Sequence, residues 1–546
     1  MLSTVNLKSN TMTITNNLSK LSLSKPEIKS WLWILMTLCL TYSFLLCNLI
    51  WGNHDWSPML IGNSVNSGLI EGRFAQYILP NVLVMGQILP FINLALGLMA
   101  YALALTLLLT RFFNFSPTFT NILILCTISI LPYIIEILYF QFIVLSQLFW
   151  PLLISITLLV AKKSITTHPY ILTTLSTILL FTTLGGYPAA INLYLTATIL
   201  YLLQKTTSKI SFKSLCRNAL PFILSLFIAS IALYVTHKWL QQKHIMMNLY
   251  NNQPASIKDI IFKIPFIYKA TVLSLLQPQP FFSLSLKLIM AIIILLFFIH
   301  NITQPCQKLS RLIRLGLWLV LPLCLKFSAW LINENPEEYF AQHDPVIYML
   351  RADFYAIPIL LLFGLISLAQ SPHKSLKNIC LVLTLFLFWT NVTTNYEFSK
   401  IQKLGFTAEN LLQQRINNRI TTHPAFNFKN NYTLVQAGEL PLRPQYYTPK
   451  AYEKYGYYTL QIPNTRHWIP NEFYAFYEPE NFILSEHSVS PESITKEMSY
   501  FLNYTLSVWP SPNALYIDDN YIILALSSNG KTMLTQQFKN LGITQP

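Results

Sequence analysis

The sequence predicts a mainly α-helical protein, in which a membrane bundle of about eleven spanning helices precedes a small C-terminal α/β domain. Composition supports this class, because 53% of the 546 residues are hydrophobic and only 11% are charged, whereas a soluble domain carries about 25% charged residues. Apolar stretches of about twenty residues, long enough to cross about 30 Å of hydrocarbon, recur from Trp31 to Asn395. We therefore expect a polytopic membrane protein.

The hydropathy pattern divides the chain into three regions: an N-terminal tail at 1–30, a membrane domain at 31–395 and a C-terminal domain at 396–546. The predicted spans are 31–51, 88–110, 119–137, 142–161, 170–186, 188–204, 217–237, 283–301, 313–333, 352–370 and 378–395. Since their number is odd, we expect the two termini to lie on opposite sides of the membrane.

Basic residues predict the orientation of the bundle. Lysines and arginines occupy every second loop, at segments that begin with Lys162, Lys205, Lys308 and Lys374, and this distribution is typical of cytoplasmic loops. The long segment 238–282 also carries lysines, but long loops cross the membrane largely regardless of charge. The net charge of +15 therefore predicts a cytoplasmic N-terminus and a lipid bilayer as partner, and no nucleic acid is expected.

The segments outside the spans have patterns of their own. Residues 257–276 predict an amphipathic helix that is broken at Pro265, because proline lacks the amide hydrogen that a helix interior requires. In the C-terminal region, 408–420 has an apolar stripe at helical spacing, and 432–435 and 521–526 are typical of strands. We expect an α/β domain that opens with a separate helix.

Metal and nucleotide sites are not expected. The sequence Asp518-Asp519-Asn520 stands beside a predicted strand, where a turn is favoured over a metal site. No Walker loop and no GxGxxG motif occurs, and no Cys/His spacing resembles a zinc site. The residues leave open whether a divalent metal takes part.

The first outer loop carries the candidate catalytic residues, within HDW at 54–56 and EGRF at 71–74. Sugar transfer from a polyprenyl phosphate needs a base for the attacking hydroxyl and cations for the leaving phosphate. Asp55 is the candidate base, Glu71 is a second candidate catalytic acid, and Arg73 is a candidate phosphate ligand. Two alternatives remain open: Asp55 caps the following helix, and Arg73 pairs with Glu71.

Further candidates for substrate binding are charged residues in or beside the spans. Glu136 and Lys326 lie in apolar surroundings, where a charge costs about 2.5–3.5 kcal/mol and usually faces a cavity or a partner. Lys326 is suited either to a lipid phosphate or to a pair with an acid such as Glu136. Arg351 either binds a phosphate or extends to the interface. The acids nearby, Asp353 among them, are more typical of a solvated face.

The motif GGYP at 185–188 is predicted to form a tight turn. Tyr187 within it suits stacking on a sugar ring, and membership of an interfacial aromatic belt explains it equally well.

These motifs together resemble the serotype-converting glucosyltransferases that decorate bacterial O-antigen. The resemblance rests on HDW at 54–56, EGRF at 71–74, GGYP at 185–188 and the sequence RAD at 351–353. It implies a GT-C type, inverting enzyme of the inner membrane that moves glucose from undecaprenyl phosphate to a surface polysaccharide on the periplasmic side. The C-terminal domain would then be periplasmic.

The resemblance also implies site roles and partners. Asp55 would match the first-loop acid of GT-C enzymes as general base, and Arg73 and Arg351 would match basic residues near the donor phosphate. The implied partners are a lipid-linked sugar donor, a polysaccharide acceptor, and a lipid-sugar flippase with a donor synthase. The chain departs from many GT-C enzymes in that His54 precedes a single Asp55, where paired acids are common.

Two other functions remain open from the sequence. A polysaccharide polymerase or ligase also joins lipid-linked glycans, although the segment 238–282 contains no arginine of the kind such enzymes use. A lipid-sugar transporter would place its polar residues near the middle of the membrane, whereas here they gather on one side.

Overall fold

The computed structural model describes most of the membrane domain and part of the C-terminal domain. Apart from isolated positions, the described ranges are 22–48, 72–138 without 77, 86 and 88, 141–206, 212–245, 257–276, 282–304, 308–328, 350–437 and 507–526. Asp55 and Glu71 lie outside the described residues.

The membrane domain consists of helices. In chain order the described α-helices are α1 (Lys25–Thr41), α2 (Ser43–Cys47), α3 (Ile78–Val84), α4 (Pro90–Leu107), α5 (Phe119–Ser129), α6 (Ile135–Leu138), α7 (Gln141–Ser164), α8 (Pro169–Gly186), α9 (Ile191–Lys205), α10 (Phe212–Gln242), α11 (Ile257–Leu276), α12 (Leu284–Thr303), α13 (Lys308–Leu325), α14 (Leu350–Ala369) and α15 (Lys374–Thr421). A π-helical turn, Leu108–Phe112, extends α4.

Each of the eleven predicted spans overlaps one of these helices. Within the described residues, six helical segments are long and apolar enough to cross a membrane: Phe91–Phe112, Ile143–Ser164, Pro169–Gly186, Phe212–Gln242, Leu284–Thr303 and Lys374–Lys400. A helical membrane protein is thereby supported, and the number of eleven spans stays a prediction. One reason why fewer than eleven helices are long enough is Pro132, which interrupts the third predicted span between α5 and α6.

The predicted helix at 257–276 is present as α11, but the predicted break at Pro265 is wrong. The helix continues through this proline because contacts with α13 stabilise its second half. The Tyr268 hydroxyl donates to the carbonyl oxygen of Leu319, and the Thr271 hydroxyl donates to that of Pro322 over 3.2 Å. Side-chain bonds to a neighbouring helix thus offset the lost backbone bond.

The separate helix predicted at 408–420 is also corrected. Residues 408–420 form the last part of α15, which runs without interruption for 48 residues. No proline occurs within it, so nothing removes a backbone hydrogen bond at the predicted domain boundary.

Buried asparagines attach α15 to the bundle. Asn395 accepts a hydrogen bond from the Tyr42 hydroxyl at 3.0 Å and donates to the carbonyl oxygen of Ile130 at 2.8 Å. Asn391, one turn earlier, donates to the carbonyl oxygen of Thr127 at 3.0 Å. In an apolar interior such bonds fix the register of a helix against its neighbours.

The C-terminal region contains a three-stranded sheet of β1 (Thr433–Ala437), β2 (Leu515–Ile517) and β3 (Tyr521–Ala525). The strand order is β1-β3-β2, with β1 parallel and β2 antiparallel to β3. The strands predicted near 433 and 521 are confirmed; β2 was not predicted, because three residues are too few to show an alternating pattern.

Asp518 turns the chain between β2 and β3 by accepting hydrogen bonds from the amides of Asn520 and Tyr521, so the predicted turn is confirmed.

The sheet region is attached to the end of α15. Arg419 donates from Nη1 to the carbonyl oxygen of Pro510 at 2.7 Å, and its guanidinium carbon lies 4.7 Å from the centroid of the Trp509 ring. Hydrogen bonding and cation–π contact therefore act together at this junction.

Candidate functional site

The bundle has a basic end, which we define by Glu27, Arg111, Lys162 and Arg314. Arg111 pairs with Glu27 through two contacts of 2.8 and 3.0 Å, and the pKa of Glu27 falls to about 2 chiefly because of this hydrogen bonding to Arg111. Lys162 donates to the carbonyl oxygens of Arg111 and Phe112, each at 2.7 Å. Cations from loops far apart in sequence thus gather at one end, as the predicted alternation of loops requires.

Arg314 shows how fully the basic end is satisfied. It is fully buried and donates to the carbonyl oxygens of Thr206 and Asn301, both at 2.8 Å. It also contacts the Thr206 hydroxyl and the carbonyl oxygen of Gln304. One guanidinium therefore closes the C-terminal ends of α9 and α12, whose last carbonyls have no partner within their own helix.

The opposite end, which we call the site end, brings two sequence motifs together. The segment 72–76 packs on the corner 185–188, and the amide of Ala75 donates to the carbonyl oxygen of Gly185 at 3.0 Å. A Cβ atom at Gly185 would lie 2.0 Å from the Phe74 ring. Two predicted motifs that are far apart in sequence therefore share one contact, and glycine is required for it.

The corner 185–188 joins the end of α8 to a short 3-10 helix, Pro188–Ala190, as the predicted turn suggested. Its glycines serve close packing, since a Cβ atom at Gly186 would lie 2.2 Å from the Trp150 ring. In the facing segment, Gly72 has a φ of 71°, a conformation that favours glycine. The Gly72 carbonyl oxygen lies 3.0 Å from His237 Nε2.

Arg73 and Tyr187, both predicted site residues, lie against each other. The Arg73 guanidinium carbon is 5.5 Å from the centroid of the Tyr187 ring, a cation–π distance. Tyr187 in turn lies 5.9 Å from the ring of Tyr355, and the Tyr355 hydroxyl donates to Gln147 Oε1 at 2.7 Å. Tyr355 and Gln147 were not predicted, because both lie inside apolar spans where a single polar atom gives no pattern.

Lys326 pairs with Asp353, and both side chains are fully buried. Of the two roles left open for Lys326, the structure shows a pair with an acid, and that acid is Asp353 and not the suggested Glu136. The expectation of a solvated face is wrong for Asp353, because its carboxylate lies in the first turn of α14 and faces a buried ammonium. No sequence pattern predicts this pairing, since Lys326 directly follows α13 and Asp353 lies in α14.

Lys287, in the first turn of α12, is a further buried cation at this end that the sequence did not single out. Its side chain is fully buried, and Nζ lies 3.3 Å from the Tyr133 hydroxyl and 4.3 Å from the centroid of the Phe282 ring. It also interacts electrostatically with Asp353 and Lys326. A lone lysine at the start of an apolar run looks like an interfacial residue, and this explains the omission.

The remaining predicted site residues are not placed by these contacts. Asp55 and Glu71 lie outside the described residues, and Glu136 and Arg351 have described backbones in α6 and α14 but no described side chains. Their roles stay predictions.

Several buried polar atoms at the site end have no hydrogen-bond partner among the residues that the structure describes. They are Gln76 Oε1, Gln147 Nε2, Trp150 Nε1 and Asp353 Oδ2. Both donors and acceptors are represented, so a ligand with hydroxyl groups suits them, because leaving a buried polar group unpaired costs about 1–3 kcal/mol. In the same described part of the chain, no cluster of three His, Cys, Asp or Glu side chains is placed to hold a metal ion.

Comparison with known proteins identifies the membrane domain. The family model described as glucosyl transferase GtrII matches residues 42–350, more than half of the 546 residues. The match contains the 72–76 segment, the 185–188 corner and both buried lysines, and it confirms the resemblance inferred from the motifs. No curated protein matches the chain.

Proposed function

We propose that this protein glucosylates a surface polysaccharide from a lipid-linked donor. The chain belongs to the glucosyl transferase GtrII family and is therefore a glycosyltransferase, and its long apolar helices suit a substrate that is held in a membrane. The donor is undecaprenyl phosphate-glucose, the acceptor is O-antigen, and the reaction takes place on the periplasmic side of the inner membrane with inversion at the sugar. The observation that carries this proposal is the packing of segment 72–76 on the corner 185–188.

This packing matters because it holds a cation beside an aromatic ring. Arg73 is held over Tyr187, and segment 72–76 directly follows the loop that contains Asp55 and Glu71. The leaving phosphate requires cations, and Arg73, Lys326 and Arg351 are our candidates for that role.

In the proposed reaction, Asp55 accepts the proton of the attacking hydroxyl, and Glu71 assists as a second carboxylate. The acceptor oxygen bonds to C1 of glucose while the bond from C1 to the phosphate oxygen breaks. Tyr187 and Glu136 complete the proposed sugar and lipid contacts. Because Tyr187 is buried between Arg73 and Tyr355, we expect it to orient Arg73 as well as to border the sugar.

Mass spectrometry of surface polysaccharide from a deletion strain tests the proposal. Complementation with the wild type should restore one hexose on each repeat unit, whereas Asp55→Asn should restore none although the protein inserts and accumulates. Asp519→Asn is the matched control, since this exposed acid lies in the turn before β3, and it should behave as wild type. If Asp55→Asn also restores the hexose, Asp55 is not the base; if the wild type restores none, the proposed reaction is wrong.

The proposed orientation has a separate test. A topology reporter fused after Lys400 should lie in the periplasm, because α15 passes the site end near this residue. A cytoplasmic signal from the same fusion would contradict a periplasmic reaction.

A further inference from the structure

A side-chain hydrogen bond attaches segment 72–76 to helix α10. His237 lies in the last two turns of α10, and its Nε2 is 3.0 Å from the carbonyl oxygen of Gly72. Because a carbonyl oxygen can only accept, the His237 ring donates from Nε2. The two residues are 165 positions apart in sequence, so the bond depends on how the bundle packs.

Helix packing explains how His237 reaches this segment. Helices α8 and α10 pack against each other, and the Ser225 hydroxyl donates to the carbonyl oxygen of Thr173 at 3.5 Å. Twelve residues further along each helix lie His237 and Gly185, a distance of about 18 Å at 1.5 Å per residue. Because both of them contact segment 72–76, the two helices run in the same direction and end at the same level.

The His237 bond restrains the backbone directly before Arg73. The Gly72 carbonyl belongs to the peptide group that joins Gly72 to Arg73, and this group is planar, so its oxygen and the Arg73 Cα atom move together. Gly72 has a φ of 71°, and glycine restricts its own backbone less than other residues do. A bond from α10 therefore restrains a peptide group that the glycine leaves free to rotate.

Two further contacts act on Arg73. Its carbonyl oxygen accepts a hydrogen bond from the Gln76 amide at 3.0 Å, which restrains the peptide group on its other side. Its guanidinium carbon lies 5.5 Å from the centroid of the Tyr187 ring. The backbone on both sides of Arg73 and the end of its side chain are thus each held by a contact.

We infer that His237 is a positioning residue for Arg73, because its bond to Gly72 sets where the guanidinium meets the donor phosphate. The inference rests on the proposed function, in which Arg73 contacts that phosphate. As C1 of glucose passes from the phosphate oxygen to the acceptor oxygen, the acceptor proton goes to the base and the phosphate keeps both bonding electrons. Negative charge therefore grows on the phosphate, and a displaced guanidinium stabilises it less.

Variants of His237 in purified protein in nanodiscs test the inference. The sugar donor is undecaprenyl phosphate-glucose, and the acceptor is O-antigen. His237→Leu removes the N–H group and should lower kcat/KM for the sugar donor about tenfold, with KM for the acceptor unchanged, because Arg73 acts on the donor phosphate. His237→Gln keeps an N–H group of similar reach and should recover most of this loss.

A double-mutant cycle separates positioning from a general effect on folding. His237→Leu alone should raise the Kd of the sugar donor, measured by native mass spectrometry, about threefold or more. In the Arg73→Met background no guanidinium is left to position, so the same change should leave this Kd unaltered. Thr236→Val is the matched control on α10, because the Thr236 hydroxyl donates to the Ala232 carbonyl of its own helix at 2.8 Å, and it should behave as wild type.

The outcomes separate this inference from the proposed function. If wild type transfers glucose and His237→Leu does so equally well, the inference is wrong and the transferase proposal stands. A loss that persists in the Arg73→Met background, or that His237→Gln does not recover, also overturns the inference. If wild type transfers no glucose, both are wrong. Should His237→Leu fail to accumulate, His237→Phe takes its place, because it keeps a ring and has no N–H group.

Discussion

The two ends of the membrane bundle treat their buried polar groups differently. At the basic end, Arg314 and Lys162 donate to backbone carbonyls that close helix ends, and Glu27 is paired with Arg111. At the site end, Gln147 and Trp150 bury nitrogen atoms that have no partner among the described residues, and Lys326 forms a buried ion pair with Asp353. The contrast teaches that the polar groups of one end stabilise the fold, whereas the other end retains polar atoms without partners among the described residues, where we propose that the substrate binds.

The strongest test of this contrast removes Arg314 from the basic end. Arg314→Met should destabilise the protein by about 1–3 kcal/mol for each buried carbonyl that loses its partner, and the carbonyls of Thr206 and Asn301 both do. Thermal unfolding in detergent measures the loss. Arg311→Met, an exposed neighbour on α13, should unfold like wild type, and an equally stable Arg314→Met would show that this end does not depend on its cations.

The second test alters the site end through a glycine. Gly185→Ala places a methyl group 2.0 Å from the Phe74 ring, so segment 72–76 must move and carry Arg73 away from Tyr187. Transfer to the acceptor should fall about a hundredfold, while stability falls by only about 1–3 kcal/mol. Glucosylation assays and thermal unfolding of the same preparation check both values.

Gly316→Ala is the matched control for this test, because a Cβ atom at Gly316 meets nothing within 4 Å. Gly316 lies in the middle of α13, where alanine favours the helix more than glycine does. The Gly316→Ala variant should therefore keep full transfer and gain up to about 1 kcal/mol in stability. Full transfer by Gly185→Ala would show that the contact between the two motifs is not needed for the reaction.

The smallest expected effect concerns the pair of Glu27 and Arg111. Glu27→Gln should lose about 1 kcal/mol of stability near neutral pH and keep full transfer. Arg111 lowers the pKa of Glu27 from 4.5 to about 2, so the pair stabilises the folded state fully above pH 4.5. This stability should disappear as the pH falls from 4.5 through about 2. The difference in melting temperature between wild type and variant, measured across this range, should shrink accordingly; a constant difference would contradict the pairing.

Much of the bundle was predictable, because a run of apolar residues must form a helix in lipid to satisfy its own backbone. The predictions that were wrong concerned helix ends, which depend on contacts between elements. Pro265 was expected to end a helix, and hydrogen bonds to Leu319 and Pro322 keep that helix continuous. Likewise, the composition changes near Tyr396 while the backbone of α15 does not.

The site was predictable as a set of residues and not as an arrangement. Arg73 and Tyr187 were each identified from a short motif, but nothing in either motif shows that they touch. Asp353 and Lys287 were misjudged or missed, because a single charge beside an apolar run is the same in sequence whether it faces water or a buried partner. Only the packing of α12, α13 and α14 distinguishes these cases.

The unbroken helix α15 also sets a distance. Phe44, just beyond α1, lies 5.3 Å from Lys403 Nζ, so the helix leaves the site end near this residue. The stretch after Lys400 adds about 30 Å at 1.5 Å per residue before Arg419 meets Trp509. A molecule that touches both the site end and the sheet must therefore be at least that long, which a polymer satisfies and a single sugar does not.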